Sequence, residues 1–523
     1  MKTLQNTLLH LLLVTLMLTA CQPSSSKLED ILKGRLASEV NPFKKSPLGA
    51  QLKFRTEEPC KVTIKVPGKI PVIKSFETFQ EVHQVSVLGL YPDTTNQVEL
   101  ILTTADEKTY TGIIPLKTQK LPDFLPSVEV TKVQREKMED GMHLVEMLIA
   151  NNGRFHSYTI MFDDNGDIRF VMDMSHFGQI SYSNLRLTNG NWLYLSWINL
   201  LEVTELGETV KEDRMWMYAA DHDMVELKND QLLMGGSKKD AKVVRADGLE
   251  PATRYDYVVK WDRLNNRGIQ EWDLGAVLDI DRSVFPEDYN LDFKADWFHI
   301  NSVAITRDSS ILASGRNQGV VKLDQENNLK WILAPHLGWG KAGRTGNGFE
   351  TSDYLLTAID ADGKPLSKDV QMGYAGTDSF EWPTGQHAVT ELSNGNIMLF
   401  DNGLSRNFAE KPTYSRAVEY KINEENMTIQ QVWQYGKSRG LDMYSHITSE
   451  VDLLPNTKNR LITAGNIRAS GEAPHSKLVE ITYPENEVVF EAKVIFKDAK
   501  STGQMAWGQL DLVYRGERYS LYH

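Results

Sequence analysis

Residues 299–315 read HINSVAITRDSSILASG, two short β-prone runs on either side of a polar turn. The same phrase returns at 185–196 (LRLTNGNWLYLS), 225–236 (VELKNDQLLMGG), 389–401 (VTELSNGNIMLFD) and 451–465 (VDLLPNTKNRLITAG). A second phrase alternates with it: YTIMFDDNGDIRFVMD, YVVKWDRLNNRGIQEWDL, VVKLDQENNLKWIL, AVEYKINEENMTIQQVW and LVEITYPENEVVFEAKV. Asn, Asp and Gly at the corners let each chain reverse tightly, so every phrase reads as a hairpin. Two hairpins in succession make a four-stranded unit, and antiparallel units repeated along a chain are the sequence signature of a β-propeller. Five units are visible, and the ends, VEMLIANNG and LDLVYRGERYSLY, would close a sixth. The fold expected is therefore all-β: a six-bladed β-propeller over residues 126–523.

Upstream the pattern changes. CKVTIKVPGK, HQVSVLGLYPDTTNQVELILTT and TYTGIIPLKT alternate with period two between Asp, Pro and Gly turns, which predicts a small N-terminal β-sandwich domain over 36–122. LPDFLP then reads as the linker to the propeller. The first residues, MKTLQNTLLHLLLVTLMLTAC, combine Lys2, an apolar stretch too short to span a bilayer and small residues before a cysteine. Their ending resembles a lipobox, which implies a lipoprotein signal peptide (1–20), acylation of Cys21 and a polar tether (21–35). An export signal of this kind places the mature chain in the bacterial cell envelope, facing the periplasm or the surface and held to a membrane by its lipid anchor. Cys60 is then the only other cysteine, so no disulfide and no cysteine metal site is available.

The formal net charge of −13 and the lack of any Lys/Arg-rich block argue against a nucleic-acid partner. An anionic ligand would need a locally positive pocket. Setting the first hairpin phrase in register supplies one. His222 stands five residues before Leu227, His387 five before Leu392 and His299 six before Ile305, while Tyr182 and Thr448 hold the same phase in two further units. In a propeller, equivalent positions of different blades are related by rotation about the channel, so residues of one phase form a ring. Arg316 ends the strand after His299, and Asn301 lies two residues beyond that histidine on the same side of its strand. Three imidazoles could hold a divalent metal, but an adjacent guanidinium and the absence of a carboxylate in phase favour an oxyanion such as sulfate, phosphate or carboxylate. His156, His176, His336 and His446 fall outside the register and read as structural.

The stretches WFHINSV, KWILAPHLGW, FEWPTGQHAV, FDNG, YSRAVEYKI, VWQYGKSRG and MYSHITS resemble the bacterial arylsulfate sulfotransferases, enzymes that move a sulfuryl group between phenols without a nucleotide donor. That resemblance implies a six-bladed propeller, a small N-terminal β-domain and a homodimer. It also implies an aryl sulfate donor, a phenolic acceptor and no cofactor or metal. His387, in GQHAV, would be the nucleophile of a ping-pong reaction through a sulfohistidine. His299 and Arg316 would bind the sulfuryl group, His222 would be the remaining catalytic histidine, and Asn301, Thr448 and Tyr182 would make lesser substrate contacts. Trp297, Phe298 and Trp382 are candidates to grip the aromatic ring. Some family members carry a cysteine pair ahead of the nucleophile motif; here none lies between Asp360 and Phe380. Two other classes fit the residues alone: a lipoprotein propeller that only binds an anionic ligand or a partner protein, and a metal-assisted hydrolase.

Overall fold

The computed structural model describes residues 26–151, 154–177, 183–284, 295–409, 411, 413–468, 472–497 and 511–523. They are nearly all β, with two helical turns at Leu274–Val277 and Lys368–Met372 and a few short 3-10 segments. Residues 1–20, expected to be a signal peptide, and Cys21 lie outside the described residues.

The N-terminal domain is built on two long strands, Ala50–Val66 and Val72–Val87, whose alternation of buried and exposed residues follows the period-two pattern of the sequence. Hydrogen bonding joins them with Ala37–Val40, Thr95–Thr104 and Thr109–Lys117 into one continuous sheet. Ala50–Val66 is long enough to pair with three neighbours, and it organises the small β-domain expected of this stretch. The expected tether is shorter than 21–35. Ser26–Lys27 pairs with Tyr110 and Thr111, and the apolar side chains of Leu28 and Ile31 are buried in the domain core. Cys60 is a buried free thiol in the same core, as packing rather than chemistry would place it.

Six further sheets follow. Sheet 1 holds Met142–Asn151, Arg154–Phe162 and Ile168–Asp173, and is completed at its edge by the C-terminal strand Leu512–Tyr519. Sheet 2 runs from Ser183–Arg186 to Thr209–Arg214, sheet 3 from Tyr218–Leu227 to Arg267–Asp273, and sheet 4 from Ile300–Ile305 to Leu329–Leu333. Sheet 5 begins with His387–Glu391 and Ile397–Asp401 and gains Thr357–Ala358 at its outer edge; sheet 6 begins with Glu450–Leu453 and gains Ser127–Val133. The first strands of sheets 2 to 6 pack side by side in chain order, and that of sheet 6 packs on Leu512–Tyr519. One hairpin, Asn199–Val203 with Thr209–Arg214, is not among the phrases read from the sequence. Its outer strand alternates between exposed and half-buried residues and carries no apolar face to detect.

The N-terminal domain docks on sheets 1 and 2. Arg169, fully buried, donates to the carbonyls of Gly89 (2.7 Å) and Ile70 (2.8 Å) and to Asp163 (3.0 Å), and stacks over Tyr91. Lys45 reaches the Gly207 carbonyl at 2.8 Å.

Candidate active site

The lead strands of sheets 3, 4 and 5 do not enter the sheet smoothly. The pairing register shifts between Ala220 and Met224, between Ile300 and Ser302, and between His387 and Thr390. At those breaks stand residues with positive φ: His222 at 69°, His299 at 56° and Ala388 at 55°; Thr448, at the head of sheet 6, has 57°. Left-handed backbone at a non-glycine residue carries a cost and re-aims its side chain, and such residues gather where function requires it. The four chain entries thus share a left-handed residue, and those of sheets 3, 4 and 5 bring His222, His299 and His387 close enough to act on one another.

The rings of His222 and His299 lie 4.9 Å apart, edge to face, and Tyr255 borders both at 5.3 and 5.4 Å. Tyr514, from the closing C-terminal strand, lies 5.9 Å from His222. Burial is the main force pushing His222 well below the ordinary imidazole range, with the charges of His299, Arg316 and His387 adding to it. His299 is pushed down in the same direction by burial, then by Arg316 and Arg254. His387 falls to about 3, again through burial, against its hydrogen bond to Asn402 Oδ1 and with Arg316 and His299 contributing. The site is thus a set of rings held neutral by burial beside guanidinium charges, Arg316 acting on all three, and the Arg316 backbone amide donates to the His299 carbonyl at 3.0 Å.

Each ring has its own partner. His299 Nδ1 lies 2.6 Å from Asp296 Oδ2, and Asp296 is held by Asn317 Nδ2 donating to its backbone carbonyl at 2.9 Å. His387 Nδ1 lies 2.8 Å from Asn402 Oδ1 and 3.0 Å from the Gly385 carbonyl. Asp296 went unread in the sequence, and Asn402 was quoted there within FDNG but given no role. Asn402 had a signal, since it follows a strand in which Phe400 pairs directly with His387. His446, read as structural, lies within reach of the same charges: burial, then Arg468 and Arg316, lowers it to about 3.

Asn301 is buried with its amide donating to the Gln386 carbonyl at 2.7 Å, so it braces the residue before His387. Thr448 is buried and donates to the Val513 carbonyl at 3.0 Å. Tyr182 lies outside the described residues. Trp297, Phe298 and Trp382 are packed in the apolar cores between sheets, and the aromatic rings that border the histidines are Tyr255 and Tyr514 instead. Of the other histidines, His336 is tied to the Leu356 carbonyl, His156 packs on Phe124 and His176 is exposed. Among the described residues no group of three His, Cys, Asp or Glu side chains is arranged to hold a metal ion. A cleft of about 980 Å³ between the N-terminal domain and the sheets is lined by Leu187 and Pro455, beyond the far ends of two lead strands, and is separate from the histidines.

Frame and site together define an all-β protein whose polar centre is assembled from the entries of successive sheets, with neutral imidazoles set around a fixed cation. Residues 127–503 match the arylsulfotransferase (ASST) family and residues 37–119 the arylsulfotransferase Ig-like domain. The chain belongs to the arylsulfotransferase family. It is 30% identical over 387 residues to "Arylsulfate sulfotransferase AssT" of Escherichia coli O6:H1, covering 65% of this chain and 63% of that protein. It is 25% identical over 547 aligned positions to the protein of the same name from Lelliottia amnigena, covering 87% and 89%. Of solved structures, a protein of unknown function from Bacteroides caccae aligns with 52% of this chain and 93% of its own at 10% identity, with a TM-score of 0.24, too slight a likeness to bear on the fold.

Proposed function

We propose that this chain is an arylsulfate sulfotransferase that carries a sulfuryl group from an aryl sulfate to a phenolic acceptor by a ping-pong route through a sulfohistidine at His387. The six sheets would be the blades of a propeller, closed by Leu512–Tyr519, with the entry ends of the lead strands facing the substrate. The observation that carries the reading is the hydrogen bonding of His387: with the Nδ1 proton engaged by Asn402 and Gly385, the lone pair of Nε2 is left for attack, within reach of the Arg316 charge.

In the first half-reaction Nε2 forms a bond to sulfur as the sulfur–oxygen bond to the aryl group breaks, and the phenolate departs with that electron pair. Arg316 and Tyr255 or His222 would steady the sulfuryl oxygens. In the second, the acceptor hydroxyl attacks sulfur, the nitrogen–sulfur bond breaks and its electrons return to Nε2. His299 takes up a proton as the anionic donor binds, its imidazolium stabilised by Asp296 at 2.6 Å, gives that proton to the departing phenolate, recovers one from the acceptor hydroxyl and loses it to solvent as the sulfated product leaves. A covalent intermediate divides one difficult transfer into two easier ones. Asn301 and Thr448 would shape the pocket from behind. Cys21 would carry the lipid anchor, holding the protein in the bacterial cell envelope, and the working form would be a homodimer.

The test uses the purified chain with a chromogenic aryl sulfate. Without an acceptor, a stoichiometric burst of phenol should appear and the protein should gain one sulfuryl group; with a phenol, initial rates should plot as parallel lines. Intersecting lines with no burst would rule out the covalent route, and anion binding without turnover would favour a binding protein.

A further inference from the structure

Two histidines of this site have differently charged partners: His299 faces a carboxylate and His387 a carboxamide. We propose that Asn402 is the positioning residue of His387, accepting its Nδ1 proton with a neutral group so that Nε2 stays bare while the ring stays uncharged at rest. The inference rests on the reading of His387 as nucleophile and goes on to say why this histidine, and not His299, has that role.

The orientation of the Asn402 amide is settled by its surroundings. Its Nδ2 donates to the carbonyls of Ser445 at 2.7 Å and Thr448 at 2.9 Å, so both N–H groups are used and Oδ1 must face His387. A reversed amide would press Oδ1 against two carbonyl oxygens. Ser415 Oγ donates to the Asn402 carbonyl at 2.7 Å and accepts from the Ser445 amide at 2.9 Å, which ties this residue to the loop leading into sheet 6. Asn402 is fully buried, so water does not compete for these bonds. On the other side of the Nδ1 proton, the Gly385 carbonyl is also an acceptor only. Nδ1 is therefore the protonated nitrogen.

The chemistry explains the choice of amide. A carboxylate in the same place would favour the charged ring and put a proton on Nε2, ending its nucleophilicity. The groups that bear on the ring's charge are Arg316 and His299 from sheet 4, His222 from sheet 3, and the Gly385 carbonyl and Asn402 from sheet 5. Once sulfur is attached, the ring becomes positive, and the Asn402 carbonyl dipole, at 2.8 Å, stabilises that charge; it favours a resting imidazolium too, but by less than burial opposes one. For His299 the reverse arrangement is useful, because a proton carrier must become charged in each cycle.

Three measurements test this. Nitrogen-15 spectra of histidine-labelled wild-type protein at neutral pH, with the His387 signals identified by their loss in His387→Gln, should show a protonated Nδ1 and a bare Nε2. Asn402→Ala should lower kcat by about 10–100-fold with little change in KM for the donor. Asn402→Asp should raise the acid limb of the pH–rate profile by about 1–3 units. A proton on Nε2 in the wild-type spectrum would overturn the proposal, and so would an Asn402→Ala enzyme with wild-type kcat and pH profile. If His387→Gln is inactive while the Asn402 variants behave as wild type, only this inference fails; if His387→Gln is active, the nucleophile assignment itself fails. The spectrum needs no Asn402 variant, so misfolding of either substitution leaves the test in place.

Discussion

Replacing Asp296 by Asn tests the proton-carrying role of His299 more sharply than removing the histidine. The two side chains are nearly the same shape and the Asn317 bond goes to the backbone of residue 296, so the frame should persist. What is lost is a carboxylate 2.6 Å from a buried imidazole. A hydrogen bond to a charged group contributes about 1.5–3 kcal/mol net, and at about 1.4 kcal/mol per decade that becomes a loss of about 10–150-fold in any step that requires imidazolium. The loss should depend on the leaving group. Unsubstituted phenyl sulfate, whose phenolate is basic, needs the proton and should show the full drop in kcat/KM. Nitrophenyl sulfate releases a phenolate stable on its own, and its burst rate should scarcely change. Stopped-flow bursts with a series of substituted phenyl sulfates would measure both, and the slope of log rate against phenol pKa should steepen in the variant. An equal loss for every donor would refute the reasoning, since it would mean that Asp296 only holds His299 in place.

Arg316→Lys keeps a charge but gives up the planar fork that meets a sulfuryl group at two points, and kcat should fall by about 10²–10³-fold; transfer kinetics within tenfold of wild type would reassign the cation. Because His387 titrates at about 3, the acid limb of kcat/KM should lie below pH 5, and an acid limb near pH 6.5 would contradict a buried neutral nucleophile. Stability should also fall on the acid side. His387 and His446 are depressed in the folded state, so between their unfolded value near 6.5 and about 3 the unfolded chain binds protons that the folded one does not, and falling pH favours unfolding. Each contributes a slope of up to about 1.4 kcal/mol per pH unit. His446→Gln should therefore make the plot of urea midpoint against pH shallower between pH 6.5 and 4, and an unchanged slope would count against its burial. Arg169→Met strands the Asp163 carboxylate and two carbonyls at the domain boundary, for a loss of about 3–5 kcal/mol read as a lower Tm and faster proteolysis near residues 121–126; an unaltered Tm would show that the two domains do not depend on this clamp.

The hairpins were legible because the sheets bury one or both faces, so apolar alternation and Asn-Gly corners had to be written into the chain. Thr209–Arg214 was illegible for the opposite reason: an outer strand facing water needs no pattern. The histidines could be read because they share a phase at the entries of successive sheets, whose lead strands pack side by side. Their partners could not. Asp296 lies three residues before His299, and only the left-handed turn at that histidine brings the carboxylate back to Nδ1. Asn402 needs the exact pairing of His387 with Phe400 before its side chain can be placed. His446 was missed because its loop enters from the head of sheet 6 outside the strand register, which is where Ser445 and Thr448 also act on Asn402.

The interior beneath the histidines poses an electrostatic problem that the site had to solve. Glu146, Asp223, Glu450, Asp452 and Glu517 gather around the single guanidinium of Arg515, in a protein whose net charge is already −13. Fully ionised, they would repel any anion approaching from above. Burial instead drives Glu146, Glu450 and Asp452 well above the carboxylate range, which favours their neutral forms, and Asp223 is matched by Arg515 at 2.7 Å. Arg515 also donates to the His222 carbonyl at 3.0 Å, and Asp223 accepts the Val303 amide at 2.7 Å, so the charge-matched pair braces the entries of sheets 3 and 4. The closing C-terminal strand thereby does two jobs, completing sheet 1 and fixing His222. With these carboxyls biased toward their neutral forms and burial disfavouring imidazolium, the guanidinium charges beside the histidines, Arg316 first among them, supply the positive field that an anionic ligand would need.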